Sequence, residues 1–462
     1  MKTGLKLYDT KEKSVKEVIA SDGKTIRIYC CGPTVYRDAH VGNLRTFLLS
    51  DLVTRTLNFS GHQTVLIQNI TDVGHMSEDV VAEDKMLSEA KAQSRDPFEI
   101  ARDYEAKFHK DLNLLEINPA DKYPRASETI DLMLALIAKL IEKKYAYVGI
   151  DGSVYFSAQS FQSYGEISGN RLDSLKPGHR YEYTEDGAKN FHADWALWKS
   201  AGNRKEMIWG SPWGPGFPGW HIECSAMSLD LLNGHVDLHI GGIDLRFPHH
   251  ENERAQSNAA EGQEVVDLWL HGEHLLFEGR KMSKSSGNVV LLSDLIAKDI
   301  DPLALRLCFL ENRYRSQMDL TWDALKTADQ TLKKWREKFA DNSGEIDLEV
   351  VALEVAQMAM DMNLDLDSPR ALQKFRAMER NQNISAATKR AIALKIDEIF
   401  GLEFSRKVAK KEPSQKALEL LDMRSTARKS KDFKASDELR DELHKIGIAV
   451  RDTPSGQEWD WI

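Results

Sequence analysis

The stretch TIRIYCCGPTVYRDAHVGNLR, residues 25–45, decides the fold. Ile26, Ile28 and Cys30 alternate as a strand requires, and Gly32-Pro33 then stops the ladder because proline has no N–H to give it. After His40-Val41-Gly42-Asn43 the period changes, and Leu44, Phe47, Leu48, Leu52 and Val53 fall on one helical face. A strand, a Gly/Pro turn and a helix opening on a small residue make phosphate-binding architecture. The first N–H groups of such a helix are unpaired and carry positive partial charge, and Gly42 lets a nucleotide approach the backbone. The bland alternative is an ordinary turn, with Cys30-Cys31 a buried pair of small apolar residues.

Outward from this stretch, Gln63 to Asn69 is a near-continuous apolar run, the mark of a strand buried on both faces of a parallel sheet. The resulting βαβ unit ends at Thr71-Asp72, where a ligand crevice should open. Residues 76–115 read as charged helix, broken by Asn118-Pro119. Residues 120–200 read as an insertion: a helix from Ser127 to Lys144, with Ile130 where a capping box wants Glu, then a small β-rich stretch and a polar loop. The sheet returns over 205–262. There SPWGPGFPGWHIECSAM is a loop leading into a helix through Leu232, and VDLHIGGIDLRFPHHENERAQS reads as strand, Gly-Gly turn and helix. Gly241 and Gly242 with Asp244 suggest a second nucleotide-facing turn whose acid accepts from ribose hydroxyls. Alone, Gly-Gly is far more often a plain turn.

His249, His250, Glu251 and Glu253 open a helix after Pro248, with His249 and Glu253 four apart on one face. Cys224 is read as lying just before another helix. Cys31 abuts the first turn and faces the opposite side from Cys30. Parallel-sheet topology brings such carboxyl-end positions together, and two thiolates, an imidazole and a carboxylate suit Zn²⁺. The competing reading is a solvated His/Glu helix start and two core cysteines.

The totals narrow the class. The chain has 462 residues, enough for two or three domains, 42% hydrophobic and 29% charged, and a net charge of −10 that argues against coating nucleic acid by bulk charge. Four cysteines, two adjacent, form no disulfide framework and fit a reducing, cytoplasmic setting. The polar start MKTGLKLYDTKEKS lacks an apolar core, and no run approaches a membrane span.

A second signature lies at WLHGEHLLFEGRKMSKSSGN, residues 269–288. Lys281 and Lys284, interleaved with Met282 and Ser283 and closed by Ser-Gly-Asn, put two cations on one loop, as cleavage of a polyphosphate requires. With HVGN at 40–43 and KMSKS at 281–285, the chain resembles the class I aminoacyl-tRNA synthetases, and more specifically the cysteinyl-tRNA synthetases. The matching pieces are CGPTVY (31–36), NITD (69–72), GWHIECSAM (219–227), HIGGIDLRFPHHENE (239–253) and the KMSKSSGN loop. ARKSKDFKASDELRDEL and GIAVRDTPSGQEW extend the match to the C-terminal region.

The resemblance implies an α/β fold: a Rossmann-type parallel-sheet catalytic domain with a small insertion, an all-helical bundle, and a small C-terminal α+β anticodon-binding module. The expected boundaries are 1–118 and 205–275 for the catalytic halves, 119–204 for the insertion, 276–330 for the lysine loop and stem-contact region, 331–404 for the bundle and 405–462 for the module. By position, it implies zinc ligands at Cys31, Cys224, His249 and Glu253, ATP-binding at His40, Gly42 and Asn43, and phosphate lysines at Lys281 and Lys284. Thr71 and Trp220 fall in the amino-acid pocket, and Arg428, Phe433, Asp437 and Asp452 at base-reading positions. Asn43 departs from the family's second histidine, though its amide can still donate to a phosphate oxygen. The implied substrates are ATP with Mg²⁺, L-cysteine and tRNA(Cys), on a monomer. Deletion after Gly401 is expected to spare adenylate formation. Two rivals stay open: an ATP-dependent ligase joining cysteine to an amino sugar, and a non-catalytic tRNA-binding paralogue. The helical region favours a synthetase over the first, and the intact lysine loop favours an enzyme over the second.

Overall fold

The structure is a computed structural model and describes residues 4–74, 85–174, 188–282, 287–407, 413–453 and 456–461. It divides into two units, residues 1–406 and 407–462.

The larger unit is built on a four-stranded parallel sheet in the order Trp269–Gly272, Leu238–Gly242, Thr25–Cys30, Gln63–Gln68. The order reverses between Thr25–Cys30 and Leu238–Gly242, so a crevice opens at their carboxyl ends. Strand alternation sorts the side chains between two cores. Ile26, Ile28, Cys30, Leu238 and Leu270 pack on one face with Leu44 and Leu48 of the lead helix Val41–Phe59. Tyr29, Cys31, Ile67 and Trp269 pack on the other with Ile222, Cys224 and Ala255. That second face is covered by helices Trp220–Leu231, His249–Glu261 and Ile130–Glu142. The two adjacent cysteines are thus separated by the sheet itself, as period 2 requires.

The insertion adds its own antiparallel sheet, Ala146–Val148, Val154–Phe156, Trp195–Ser200 and Gly216–Pro218, around stacked Phe156 and Trp195 (centroids 4.4 Å apart). Its helix starts at Ile130 rather than Ser127. A single 3₁₀ turn occupies Ala126–Glu128, and Thr129 caps without a side-chain bond, in keeping with the missing Glu. The last strand lies within the Gly/Pro/Trp-rich segment read as pure loop, so the insertion's sheet closes beyond residue 204. The helical stretch read over 76–115 is two helices, Lys85–Gln93 and Pro97–Leu114; residues 75–84 lie outside the described residues. The N-terminal hairpin, Lys6–Asp9 with Ser14–Glu17, runs along the sheet edge: Thr10 N–H donates to Trp269 O (2.9 Å).

The helical region begins at Trp322, so one helix, Trp322–Ala340, runs through residue 331. It packs with Leu348–Met362, Ser368–Arg380 and Ala386–Phe400 around Trp335, Phe339, Phe375, Phe400 and Phe404. Met358, Met362 and Met378 are core, as expected of a methionine-rich face, whereas Met360 is exposed. Phe404 is buried, and Arg336 donates to Leu402 O and Glu403 O. A cut after Gly401 would therefore strip part of this core; the boundary that leaves it whole lies after Arg406.

The smaller unit packs helices Gln415–Lys429 and Phe433–Lys445 and the hairpin Ile448–Thr453/Gly456–Trp461 around Ala417, Leu420, Leu421, Leu443 and Ile448. Among the described residues no helix is long and apolar enough to cross a membrane.

Candidate active site

At the crevice lies a cleft of about 330 Å³ lined by Cys31, His40, Gly42, Asn43, Trp220 and Lys281, with Gly242 and Asp244 on one wall. His40 is the N-cap of the lead helix. Its Nδ1 accepts from Asn43 N–H (3.2 Å), and Asn43 Oδ1 accepts from His40 N–H (3.2 Å), a reciprocal capping box. Burial, aided by the Arg37 charge, pushes the His40 pKa down to about 4, so the ring is neutral at pH 7. With Nδ1 accepting, its proton sits on Nε2. Val41 N–H is bonded to Val290 O (2.9 Å). The donors of His40, Val41 and Asn43 are therefore engaged within the chain. The positive field at the helix start reaches a ligand through side chains and Gly42 more than through a row of free N–H groups.

The two signature motifs meet. A Cβ on Gly42 would lie 2.8 Å from Met282 Cε and 3.0 Å from the His40 ring, so a larger residue there would have to displace the Met282 methyl. Lys281 sits on the short strand Arg280–Lys281, paired with Leu276–Phe277, and Asn288 Nδ2 donates to its carbonyl (3.1 Å). Lys284 lies outside the described residues.

Gly241 and Gly242 form no turn. They end the strand Leu238–Gly242, and a 3₁₀ turn, Ile243–Arg246, follows. Only Gly242 lines the cleft; a Cβ on Gly241 would lie 2.5 Å from His250 Cε1, so that glycine makes room for an imidazole. Thr71 is buried and is not among the residues that line the cleft. Its hydroxyl donates to Glu223 Oε2 (3.0 Å) and accepts from Asn69 Nδ2 (3.1 Å), while Asn69 Oδ1 accepts from Gly32 N–H (2.8 Å). Trp220 reaches the cleft and stacks on His249, with centroids 4.2 Å apart.

Cys31, which lines the cleft, converges with Cys224, His249 and Glu253, all four buried, with one donor atom from each within 4.8 Å of the others. His249 Nε2 lies 2.9 Å from Glu253 Oε1, and His249 Nδ1 lies 2.8 Å from His221 Nδ1. One ring nitrogen facing the cluster and the other held by a neighbour is the usual state of a metal-ligating histidine. The hydrogen bond from Cys31 holds the Cys224 thiol below its ordinary pKa with His249 assisting, while burial pushes Cys31 and Glu253 up. Glu253 Oε2 is buried with no hydrogen bond among the described residues; His239 Nε2 lies 3.6 Å away, in a ring that burial holds well below the ordinary histidine pKa. A buried carboxylate oxygen without a donor, beside two sulfurs and an imidazole, fits a divalent cation. A second set, Cys31, His239, His250 and Glu253, shares two of these residues but has one sulfur. In it His250 Nδ1 already faces His271 Nε2 (2.8 Å), and His271 Nδ1 faces Thr10 Oγ1 (2.8 Å).

Sequence reasoning missed this histidine lining, and it missed Arg45. That buried guanidinium donates to the carbonyls of Glu273 (2.6 Å), His274 (2.9 Å), Arg313 (3.2 Å) and Ser316 (2.9 Å). It thereby ties the lead helix to the segment that enters the lysine-bearing hairpin. The solvated reading of the His/Glu helix fails outright, because every residue from His249 to Ala260 is buried.

In the smaller unit, Asp452 accepts from Arg424 (3.0 Å) and Arg428 (2.9 Å), and the Arg424 hydrogen bond holds its carboxyl below the usual range. Arg428 lies over the exposed Phe433 ring, 5.5 Å from the centroid. Asp437 pairs with Arg440 (3.4 Å). Three of the four proposed base-reading residues are therefore in one cluster, and the partner shown for the fourth is Arg440.

Comparison with known proteins places this geometry. Residues 17–330 match the family model of the class I (C) tRNA synthetase catalytic domain, and residues 412–459 match the anticodon-binding domain of cysteinyl-tRNA ligases. The cleft and parallel sheet are those of a class I aminoacyl-tRNA synthetase. The chain is 38% identical to the cysteine–tRNA ligase of Thermus thermophilus, over 99% of both chains, and 35% identical to that of Bacillus pumilus, over 98% and 99%. It belongs to the cysteine–tRNA ligase family. In fold it is similar to the methionyl-tRNA synthetase of Mycobacterium tuberculosis (TM-score 0.58, 14% identity, covering 89% of this chain and 96% of that one).

Proposed function

We propose that the chain activates L-cysteine with ATP and transfers it to the 3′ end of tRNA(Cys) in the cytoplasm, and that the phosphate and sulfur ends of one cleft divide the work. The supporting observation is the four-donor set that shares Cys31 with the cleft that both signature motifs line.

In the first half-reaction the cysteine carboxylate attacks the α-phosphorus of ATP–Mg²⁺, the bond to the bridging oxygen of the β-phosphate breaks, and pyrophosphate leaves. His40 donates its Nε2–H to a non-bridging oxygen; it can do so because Asn43 N–H occupies Nδ1. Asn43, its Oδ1 held by the cap, directs its NH₂ outward as a second donor. Lys281 and Lys284 neutralise the departing pyrophosphate. Gly242 lets the ribose approach and Asp244 accepts from its hydroxyls, with Gly241 supporting the wall from behind. In the second half-reaction a terminal ribose hydroxyl of tRNA attacks the cysteinyl carbonyl and AMP departs. Both steps are electrostatic and positional.

Cys31, Cys224, His249 and Glu253 would hold one Zn²⁺, which binds a soft thiolate far better than a serine hydroxyl. Trp220 closes the amino-acid side, and Thr71, its O–H committed to Glu223, offers only an acceptor there. Arg428, Phe433, Asp437 and Asp452 read anticodon bases, the exposed ring by stacking. The test is tRNA charging with cysteine and with serine on one sample whose metal content is measured. Charging by cysteine alone with one zinc per chain is expected; equal use of serine, or cysteine-specific charging by metal-free protein, would overturn the assignment of selectivity.

A further inference from the structure

The helix that carries two of the four metal donors is gripped from its far side by the insertion. Between His249 and Glu253 the helix presents Glu251 and Asn252, with Arg254 following, all buried. One segment of the insertion, residues 161–168, meets all three. Glu251 Oε2 accepts from Ile167 N–H (3.1 Å), Ser168 N–H (2.9 Å) and the Ser168 hydroxyl (2.9 Å). Asn252 Oδ1 accepts from the Tyr164 hydroxyl (2.5 Å). Arg254 donates to Ser163 O (2.9 Å) and Glu166 Oε2 (2.6 Å) and lies over the Phe161 ring, 5.4 Å from its centroid.

These bonds fix the helix in rotation and in height at the very turn that sets the spacing of His249 and Glu253. A helix turned by even a fraction of a residue would swing both donors out of the cluster, because each residue advances the helix by 100°. Glu251 is the centre of the grip. Three donors from a single short loop converge on one oxygen of this buried carboxylate, while its Oε1 has no hydrogen bond among the described residues and lies 3.9 Å from Arg254 Nη1.

From this we infer that the insertion segment 161–168 is a clamp that holds the metal-bearing helix in register, so that Tyr164 and Ser168 are positioning residues for the metal centre although neither touches it. This role rests on the proposed metal site. It gives the insertion a function in retaining the ion, distinct from catalysis.

The experiment measures the rate at which zinc leaves the full-length protein to a chromogenic chelator, in wild type, Tyr164→Phe/Ser168→Ala, and Tyr147→Phe. The double variant removes two hydroxyls from the clamp. Tyr147→Phe removes a hydroxyl of the same insertion that bonds Asp194 and Asn190, away from the helix. We expect zinc loss about tenfold faster in the double variant, the size of effect typical when groups that orient metal ligands are removed, and an unchanged rate in Tyr147→Phe. Equal rates in the double variant and wild type would overturn the clamp while leaving the metal site standing. Equal acceleration in both variants would overturn it too, since general loosening of the insertion would then suffice. A wild-type protein that binds no zinc would remove the metal reading itself and the clamp with it.

Discussion

The two ends of the cleft are built by opposite rules. At the sulfur end every donor is buried, the ring nitrogens are held by neighbours, and a second layer of the insertion fixes the supporting helix. At the phosphate end His40 is only partly buried, and Asn43 and Lys281 are exposed. The difference follows from what each must recognise. Under the proposed function, telling a thiol from a hydroxyl calls for a soft contact among buried donors, whereas stabilising a transient phosphate charge needs donors that a large, solvated nucleotide can reach.

The sharpest way to break this contrast is at the buried end. Cys224→Ser replaces a soft donor by a hard one, and cysteine-dependent ATP–pyrophosphate exchange should fall on the order of 10⁴-fold, the scale of discrimination available to a group the competitor lacks. Zinc content should fall with it. Retained exchange with serine still excluded would place selectivity elsewhere. At the exposed end, His40→Ala removes one donor to the α-phosphate. A loss of about 10²–10³ in the exchange rate constant is expected, as for one preorganised oxyanion donor. Metal content should stay at the wild-type level; a parallel loss of zinc would show that the two ends are not independent.

Arg45→Lys probes what holds the phosphate end together, the tie from the lead helix to the segment that enters the lysine-bearing hairpin. A guanidinium can serve four carbonyls in one plane-limited arrangement, while an ammonium has three donors and a different reach. Loss of one charge-assisted hydrogen bond is worth ~1.5–3 kcal/mol, so the KM for ATP should rise about tenfold or more, with the KM for cysteine unchanged. Equal rises in both constants would assign Arg45 to general stability.

The sequence made the phosphate end readable and half of the sulfur end. Strand period 2 separates Cys30 from Cys31 by local geometry alone, and HVGN is a contiguous word whose His40, Gly42 and Asn43 meet at one helix start and line one cleft. The remainder depends on neighbours that folding imports. Arg45 finds its acceptors 228 to 271 residues downstream. Gly241 is explained by a histidine from the next helix, which no reading of Gly-Gly in isolation supplies. Burial of the 249–260 helix could not be read from its polar composition, because three donors to Glu251 and two acceptors of Arg254 come from an insertion 80 or more residues upstream.

The smallest expected effect is itself informative. The His40 pKa in the folded chain, about 4, lies below the 6.5 of a free histidine, because burial disfavours the charged ring. Between those values the unfolded chain binds more protons, so stability rises with pH across that window. The contribution is complete above about 6.5 and disappears as pH falls to about 4. For catalysis the consequence is flatness: the Nε2–H donor is already neutral and in place from pH 8 down to about 5, so His40 should impose no titration on the exchange rate there. The comparison that isolates it is wild type against His40→Gln, following exchange rate and melting temperature from pH 8 to 5. The rate ratio should stay constant, while the melting temperature of the wild type should drop more steeply below pH 6.5 than that of the variant. A rate step near pH 6.5 that vanishes in the variant would mean that the ring is charged when ATP is bound, and that the phosphate end works by cation rather than by a fixed neutral donor.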